Sequence, residues 1–159
     1  MTITTSPGLP RPKGVQIKAE GVNFALFSRH AEGVTLVLQS GESSWKGRRI
    51  ELPLDRRVNK TGDIWHIMVQ GLPADFRYGY RLAGPYDPQG SGHQFDPKNI
   101  LLDPYAKVLC PSSWGEQRAG LGREPCCLPG DARYDWEGDR PLLIPLKDTV
   151  IYEMHVRGF

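Results

Sequence analysis

The sequence predicts an all-β protein with an antiparallel β-sandwich, and three observations support this prediction. Between Gly14 and Gly84, short runs rich in β-branched and aromatic residues recur. Pieces containing Gly, Asn, Asp and Ser separate these runs at short intervals. No stretch of this region keeps the apolar period of a helix over many residues. Short strands with closely spaced turns are typical of two packed antiparallel sheets.

Six runs have the composition expected of strands. In chain order they are Val15–Ala19, Val22–Ser28, Val34–Gln39, Arg49–Leu54, Ile64–Val69 and Tyr78–Ala83. The turns that separate them are predicted at Ala19–Gly21, His30–Gly33, Ser40–Gly47, Asn59–Asp63 and Gly71–Asp75. In the fifth run, Trp65, Ile67 and Val69 share one face, which fits a strand with that face on a core. We therefore expect residues 14–110 to form an immunoglobulin-like β-sandwich.

The regions on either side of this unit differ in composition. Residues 1–13 are rich in Thr, Ser and Pro and are predicted to be a flexible leader. Residues 111–147 contain several prolines and no clear period, which favours an irregular connector against a neighbouring domain. Residues 148–159 include Val150–Val156, a β-branched and aromatic run that we expect to be a strand with a partner outside this chain.

Charge and composition exclude several classes of function. The formal net charge is +2 over 159 residues, without the dense basic stripe of a nucleic-acid-binding protein. No stretch approaches the ~20 apolar residues of a membrane span, and no signal-peptide core is evident, so a cytoplasmic location is expected. The three cysteines, Cys110, Cys126 and Cys127, lack zinc-ligand spacing. We expect three free thiols, no metal and no cofactor.

Short motifs distributed along the chain carry a family resemblance. They are Gly21–Ser28, Gly62–His66, Tyr78–Arg81, Gly84–Pro88, His93–Pro97, Leu102–Ala106, Tyr134–Trp136, Asp139–Pro141 and Val150–Phe159. In wording, order and spacing they resemble isoamylase-type glycogen debranching enzymes of the α-amylase superfamily. The chain departs from them at Pro145-Leu146, where relatives commonly have Pro-Trp.

The resemblance implies a family 48 carbohydrate-binding module followed by the entry into a glycoside hydrolase family 13 (β/α)8 barrel. Such enzymes hydrolyse α-1,6 branch linkages of glycogen, so the implied partners are an α-glucan (glycogen, amylopectin or limit dextrin) and the catalytic barrel of the same polypeptide. Residues 148–159 would be the first strand of that barrel. The catalytic carboxylates would come from later strands. The chain alone is therefore expected to be inactive, and no catalytic residue is assigned.

Two further interpretations stay open from the sequence. One is a stand-alone glycogen-binding module that recruits a regulatory partner, although such a module has no use for an exposed terminal strand. The other is a fragment of a branching enzyme or a trehalohydrolase, since both share the plan of a sandwich followed by a barrel. The spread of motifs from Gly84–Pro88 to Leu102–Ala106 favours debranching.

Sugar recognition needs an exposed aromatic ring beside groups that hydrogen-bond to hydroxyls. Two places meet this description, and their candidate residues are Trp45 with Lys46, and Tyr86 and Phe95 with His93. Trp65, Tyr78 and Tyr80 are expected in the core, with a tyrosine hydroxyl at the edge. Asp87, Asp96 and Asp103 adjoin prolines and are expected to accept backbone N–H groups in turns. Whether the module binds glucan or only packs on the barrel is left open.

Overall fold

A computed structural model describes residues 2–39, 49–110, 126–130, 135–155 and 157–158. Within these ranges lie twelve strands and one short 3₁₀ helix, Leu146–Asp148. The strands are β1 (Thr4–Ser6), β2 (Gly14–Lys18), β3 (Gly21–Phe27), β4 (Gly33–Gln39), β5 (Arg49–Pro53), β6 (Lys60–Thr61), β7 (Ile64–Gln70), β8 (Arg77–Ala83), β9 (Tyr86–Asp87), β10 (His93–Gln94), β11 (Val108–Leu109) and β12 (Cys127–Leu128). The all-β prediction is confirmed, and the six predicted strands appear as β2, β3, β4, β5, β7 and β8.

All strand pairs are antiparallel and form two large sheets and one hairpin. The first sheet has the order β1-β7-β3-β2, with β6 also paired to β7. The second sheet has the order β11-β12-β8-β4-β5, and β9 and β10 form a separate hairpin. Side chains from both large sheets meet in one apolar cluster, which contains Phe24 and Trp65 from the first sheet and Leu36 and Tyr78 from the second. The two sheets therefore form a sandwich around a shared core.

Strand β7 is buried on both faces, which the alternating pattern did not predict. Trp65, Ile67 and Val69 enter the core as expected, while His66 and Met68 on the other face are buried as well. The N-terminal segment covers this second face, because the ring of His66 bonds through Nδ1 to the carbonyl oxygen of Pro7 over 2.7 Å.

The leader predicted at residues 1–13 is part of the first sheet. Thr4, Thr5 and Ser6 pair with Gln70, Val69 and Met68, respectively. Beyond β1, the buried Asn23 side chain holds Leu9 at both its backbone groups, accepting from N over 2.7 Å and donating to O over 2.9 Å. The expectation of a flexible leader is therefore wrong for Thr4–Ser6. Three residues of Thr and Ser carry no periodic signal, so their pairing could not be inferred.

The connector predicted at residues 111–147 also contributes to the sandwich, through β12. Cys127 pairs with Tyr78 of β8, and Leu128 pairs with Val108 of β11. The next facing pair is Cys110 and Cys126, whose Cα atoms are 5.5 Å apart and whose sulfurs form a disulfide. The expectation of three free thiols is wrong, because antiparallel pairing brings these two cysteines face to face. Cys127 is the one free cysteine among the described residues, and it is buried.

The predicted barrel strand does not appear in the described part of 148–159. Thr149 to His155 have no strand pairing in the part of the chain that the structure describes. Their apolar side chains are open to solvent, and Val150 is 95% exposed.

Among the described residues, no helix has the length and apolar character needed to cross a membrane.

Candidate carbohydrate-binding site

The β9–β10 hairpin carries the three candidate residues that the structure describes. Asp87 closes its turn, since its carboxylate accepts from the backbone N–H groups of Gly90 at 3.0 Å and Ser91 at 2.7 Å. These donors, Ser91 first and then Gly90, lower the pKa of the Asp87 carboxyl below its ordinary value because they stabilise the charged form. The predicted role of Asp87 as a turn residue is confirmed, and the hairpin is a locally ordered unit.

Phe95 anchors the hairpin to the sandwich. Its ring lies against Gly84, where an added Cβ would come within 2.8 Å of the Phe95 Cγ. Phe95 is half-buried and packs against the apolar core cluster. Gly84 is thus required for close approach of the ring, and most of that ring serves packing rather than an exposed platform.

His93 lies between two other rings. Its ring centroid is 4.4 Å from that of His30 and 5.8 Å from that of Phe95. His30 belongs to the loop before β4, and the loop is fixed by the hydrogen bond from Glu32 N to Ala83 O at 2.8 Å. His30 was not a sequence candidate, because a histidine in a turn 63 residues before His93 carries no signal of this contact.

Tyr86 is the most exposed aromatic residue of the hairpin, at 69%. It faces Gln94 across the hairpin, whereas Asp87 faces His93. Because successive side chains alternate between the two faces, Tyr86 and Gln94 lie on one face and His93 on the other. The structure therefore does not combine Tyr86, His93 and Phe95 into one aromatic platform. Tyr86 and Gln94 are both exposed and face each other across the hairpin, so this register places an aromatic ring beside an amide.

The other pair of candidates, Trp45 and Lys46, lies outside the described residues. The residues assigned to the core can be placed. Trp65 is 1% exposed, and its indole N–H donates to the carbonyl oxygen of Ser28 over 3.2 Å. The prediction of a core role for Trp65 is confirmed.

Tyr78 and Tyr80 are also in the core, but neither hydroxyl reaches the surface. Tyr78 donates to the Asp103 carboxylate over 3.0 Å. The Tyr80 hydroxyl is buried without a hydrogen-bond partner among the described residues. Burial raises the pKa of both phenols. The expectation of a hydroxyl at the edge is wrong, because the segment containing Leu101 and Asp103 covers this side of β8.

Asp103 is a turn residue that is also buried. Its carboxylate accepts from Tyr105 N over 2.8 Å, as predicted for a turn, and from the Tyr78 hydroxyl. Its backbone N–H donates to the Cys127 thiol sulfur over 3.3 Å. Burial raises the pKa of the Asp103 carboxyl above its ordinary value, although the hydrogen bonds from Tyr105 N and the Tyr78 hydroxyl oppose this shift. Asp103, Tyr78 and Cys127 thus connect the covering segment, β8 and β12.

Asp96 follows the prediction at a partly buried position. Its two carboxylate oxygens accept from Lys98 N and from the Asn99 side-chain amide, each over 2.9 Å. Within the described residues, no group of three or more His, Cys, Asp or Glu side chains has the arrangement of a metal site.

Known proteins give a consistent picture of this chain. Residues 12–106 match the family described as carbohydrate-binding module 48, the isoamylase N-terminal domain. The chain is 41% identical to isoamylase 1, chloroplastic, of Arabidopsis thaliana, with 97% of the chain and 20% of the relative covered. It is 42% identical to a glycogen debranching enzyme of Yersinia enterocolitica, with 99% of the chain and 24% of the relative covered. It thus spans between a fifth and a quarter of the length of these curated relatives.

A solved structure supports the fold. Apo pullulanase from Paenibacillus barengoltzii superposes with a TM-score of 0.57 at 24% sequence identity, covering 92% of this chain and 19% of that chain. Since the family match covers more than half of the residues, the chain belongs to carbohydrate-binding module family 48, as an isoamylase N-terminal domain.

Proposed function

We propose that this chain is the N-terminal module of a glycogen debranching enzyme that hydrolyses α-1,6-glucosidic branch linkages. The observation that carries the proposal is the match over nearly the whole chain, at 41% and 42% identity, to proteins named isoamylase and glycogen debranching enzyme. Within this proposal the sandwich is of immunoglobulin-like type, residues 148–159 supply the first strand of the catalytic barrel, and the location is cytoplasmic.

The module would contact α-glucan through exposed aromatic rings. Tyr86 is exposed, and the neighbouring Gln94 amide can exchange hydrogen bonds with sugar hydroxyls. Trp45 and Lys46 remain candidates on composition alone. A ring of this kind buries the apolar face of a glucose unit, while the amide fixes its orientation.

The module would also support the catalytic barrel. The segment from Leu142 to Met154 exposes eight large apolar side chains, namely Leu142, Leu143, Ile144, Leu146, Val150, Ile151, Tyr152 and Met154. Exposed apolar side chains concentrated in one segment favour an interface with a partner. The barrel of the same polypeptide is the proposed partner.

Retention of the purified chain in native gels containing glycogen or amylopectin tests glucan binding. We expect Trp45→Ala to weaken binding by ~1–2 kcal/mol and Tyr86→Ala to weaken it measurably, as loss of a stacked aromatic contact would. Tyr152→Ala is a matched control, because Tyr152 is similarly exposed but lies in the terminal segment. Circular dichroism checks that each variant is folded.

The outcome decides between the two roles. If folded Trp45→Ala, Tyr86→Ala and Phe95→Ala all bind like the parent, glucan contact does not use these rings, and support of the barrel is the remaining role. The same protein should release no reducing ends from glycogen. Protein-dependent release would contradict the assignment of catalysis to a separate barrel.

A further inference from the structure

A second surface on this sandwich has the chemistry of a ligand site. A cleft of about 470 Å³ lies where the N-terminal segment passes the end of β3 and the β6–β7 turn. Its lining includes one aromatic residue, Phe27, three charged residues, Arg11, Lys13 and Asp63, and the hydroxyl of Thr61. This volume falls within the ~300–1,000 Å³ typical of small-molecule sites.

Phe27 gives the cleft an apolar wall. It is the last residue of β3 and pairs with Ile64, and it is 45% exposed although residues 22–26 before it are all buried. The Lys13 ammonium lies 5.9 Å from the centre of the Phe27 ring and 4.7 Å from that of Tyr105. The Lys13 ammonium thus lies over the Phe27 ring, and a ligand that covers the open part of this ring would meet the cation beside it.

The charges of the cleft do not cancel. Asp63 is paired with Arg29, whose Nε lies 3.0 Å from Oδ2. Neither Arg11 nor Lys13 is in an ion pair within the part of the chain that the structure describes. A guanidinium and an ammonium beside an already neutralised carboxylate favour an anion, and phosphate oxygens suit both groups.

Thr61 adds an acceptor of defined orientation. The Pro7 carbonyl can only accept, so the His66 Nδ1 at 2.7 Å must donate to it. In the neutral ring Nε2 is then an acceptor, and the Thr61 hydroxyl at 2.9 Å donates its proton there. The lone pairs of the Thr61 oxygen therefore remain available to accept a hydrogen bond from a ligand hydroxyl.

We propose that this cleft binds a glucose unit bearing a phosphate monoester within an α-glucan chain. The apolar face of the sugar packs on Phe27, Arg11 and Lys13 hold the phosphate, and Thr61 accepts from a sugar hydroxyl. The inference rests on the proposed glucan-binding function and adds a site on the opposite end of β3 from its turn with β2. A neutral sugar would not use the two cations, and a bare phosphate would not use the aromatic wall.

The test is native affinity electrophoresis of the full chain in phosphate-rich amylopectin and in the same polymer after phosphatase treatment. We expect at least roughly tenfold tighter retention on the phosphorylated polymer, the scale of a hydrogen bond between charged groups. Replacing Arg11 and Lys13 together by Ala should remove this difference, so that the variant is retained equally on both polymers. A control with Arg56→Ala and Arg57→Ala removes the same charge outside the cleft and should keep the difference.

Competition separates a phosphosugar from a bare phosphate. Glucose 6-phosphate should displace the phosphorylated polymer at lower concentration than inorganic phosphate does, and Phe27→Ala should abolish that advantage. Equal displacement would overturn the sugar part of the inference. Equal retention of the parent on both polymers would overturn phosphate recognition and leave general glucan binding intact. Retention on neither polymer would contradict both the glucan-binding function and the phosphosugar site. If the Arg56→Ala and Arg57→Ala control also loses the tighter retention on the phosphorylated polymer, the preference comes from overall charge and the assignment to this cleft is wrong.

Discussion

Trp65 and Tyr86 show how position decides what an aromatic residue does in this sandwich. Trp65 is enclosed by both sheets, while the Lys60 ammonium lies 4.8 Å from the centre of its ring. Tyr86 stands on a two-residue strand with most of its surface in solvent. The first residue therefore contributes to stability and the second is available for contact.

We expect Trp65→Ala to reduce the free energy of unfolding by about 3–5 kcal/mol, because it leaves a large cavity in the core. Tyr86→Ala should change it by no more than about 0.5 kcal/mol, as is usual for exposed positions. Urea denaturation followed by circular dichroism measures both. An unchanged midpoint for Trp65→Ala would contradict the core role of this residue.

Asp103 should make stability depend on pH in the direction opposite to most carboxylates. Because its pKa is raised in the folded protein, the folded state holds the proton more tightly than the unfolded chain. Its stabilising contribution is then complete below the ordinary aspartate pKa of about 3.9 and is lost as pH rises through the folded value. Asp103→Asn removes this dependence, so the variant should gain stability relative to the parent as pH rises.

Asp87 provides the matched control, since its pKa is lowered in the folded state. Its contribution is present above the ordinary pKa and is lost as pH falls, so Asp87→Asn should lose stability relative to the parent as pH rises. The free energy of unfolding of the parent and both variants is measured across the pH range where all three fold. The difference between each variant and the parent, plotted against pH, gives the two slopes. Slopes of the same sign for the two variants would contradict the assignment for Asp103.

At the scale of elements, the disulfide joins β11 and β12, the two shortest strands at one edge of the second sheet. β12 pairs with the rest of that sheet through Cys127 and Tyr78. The bond between Cys110 and Cys126 spans 16 positions of sequence, and closing a loop of this size stabilises by about 3 kcal/mol. This edge of the sandwich therefore depends on the oxidation state of the pair.

Thiol titration checks this directly. Denatured protein without reductant should show the single thiol of Cys127, and three thiols after reduction. Reductant should lower the melting temperature of the parent and leave that of a Cys110→Ser variant unchanged. Three thiols in the unreduced protein would restore the expectation drawn from sequence.

The sequence predicts the long elements of this fold and misses the short ones for a physical reason. β7 and β8 have seven residues each, enough for alternation and bounding turns to show. β1, β6 and β9 to β12 have two or three residues, and such strands exist because a neighbouring edge offers hydrogen bonds. The candidate site shows the same limit. Composition predicts Tyr86 as a candidate, but only the hairpin register shows that Tyr86 and His93 lie on opposite faces.

At the scale of the whole molecule, the apolar side chains of the sandwich are buried in a shared core, whereas those of the terminal segment are exposed. Among the residues that the structure describes, the buried apolar residues of the core all precede the terminal region, and Cys127 is the last of them. Val150 and Ile151 instead stand in solvent. Exposed β-branched side chains with unpaired backbone groups can template pairing between chains, so this segment is an aggregation risk whenever no partner covers it.

Deleting Thr149–Phe159 should therefore raise the solubility of the chain and leave its melting temperature unchanged. A full-length variant with Val150→Lys and Ile151→Lys should reproduce the gain in solubility, because it removes the apolar surface without shortening the chain. Light scattering against concentration and thermal denaturation measure the two properties. A fall of several degrees on deletion would show that the segment stabilises the sandwich, and its proposed partner would then be the module itself rather than the barrel.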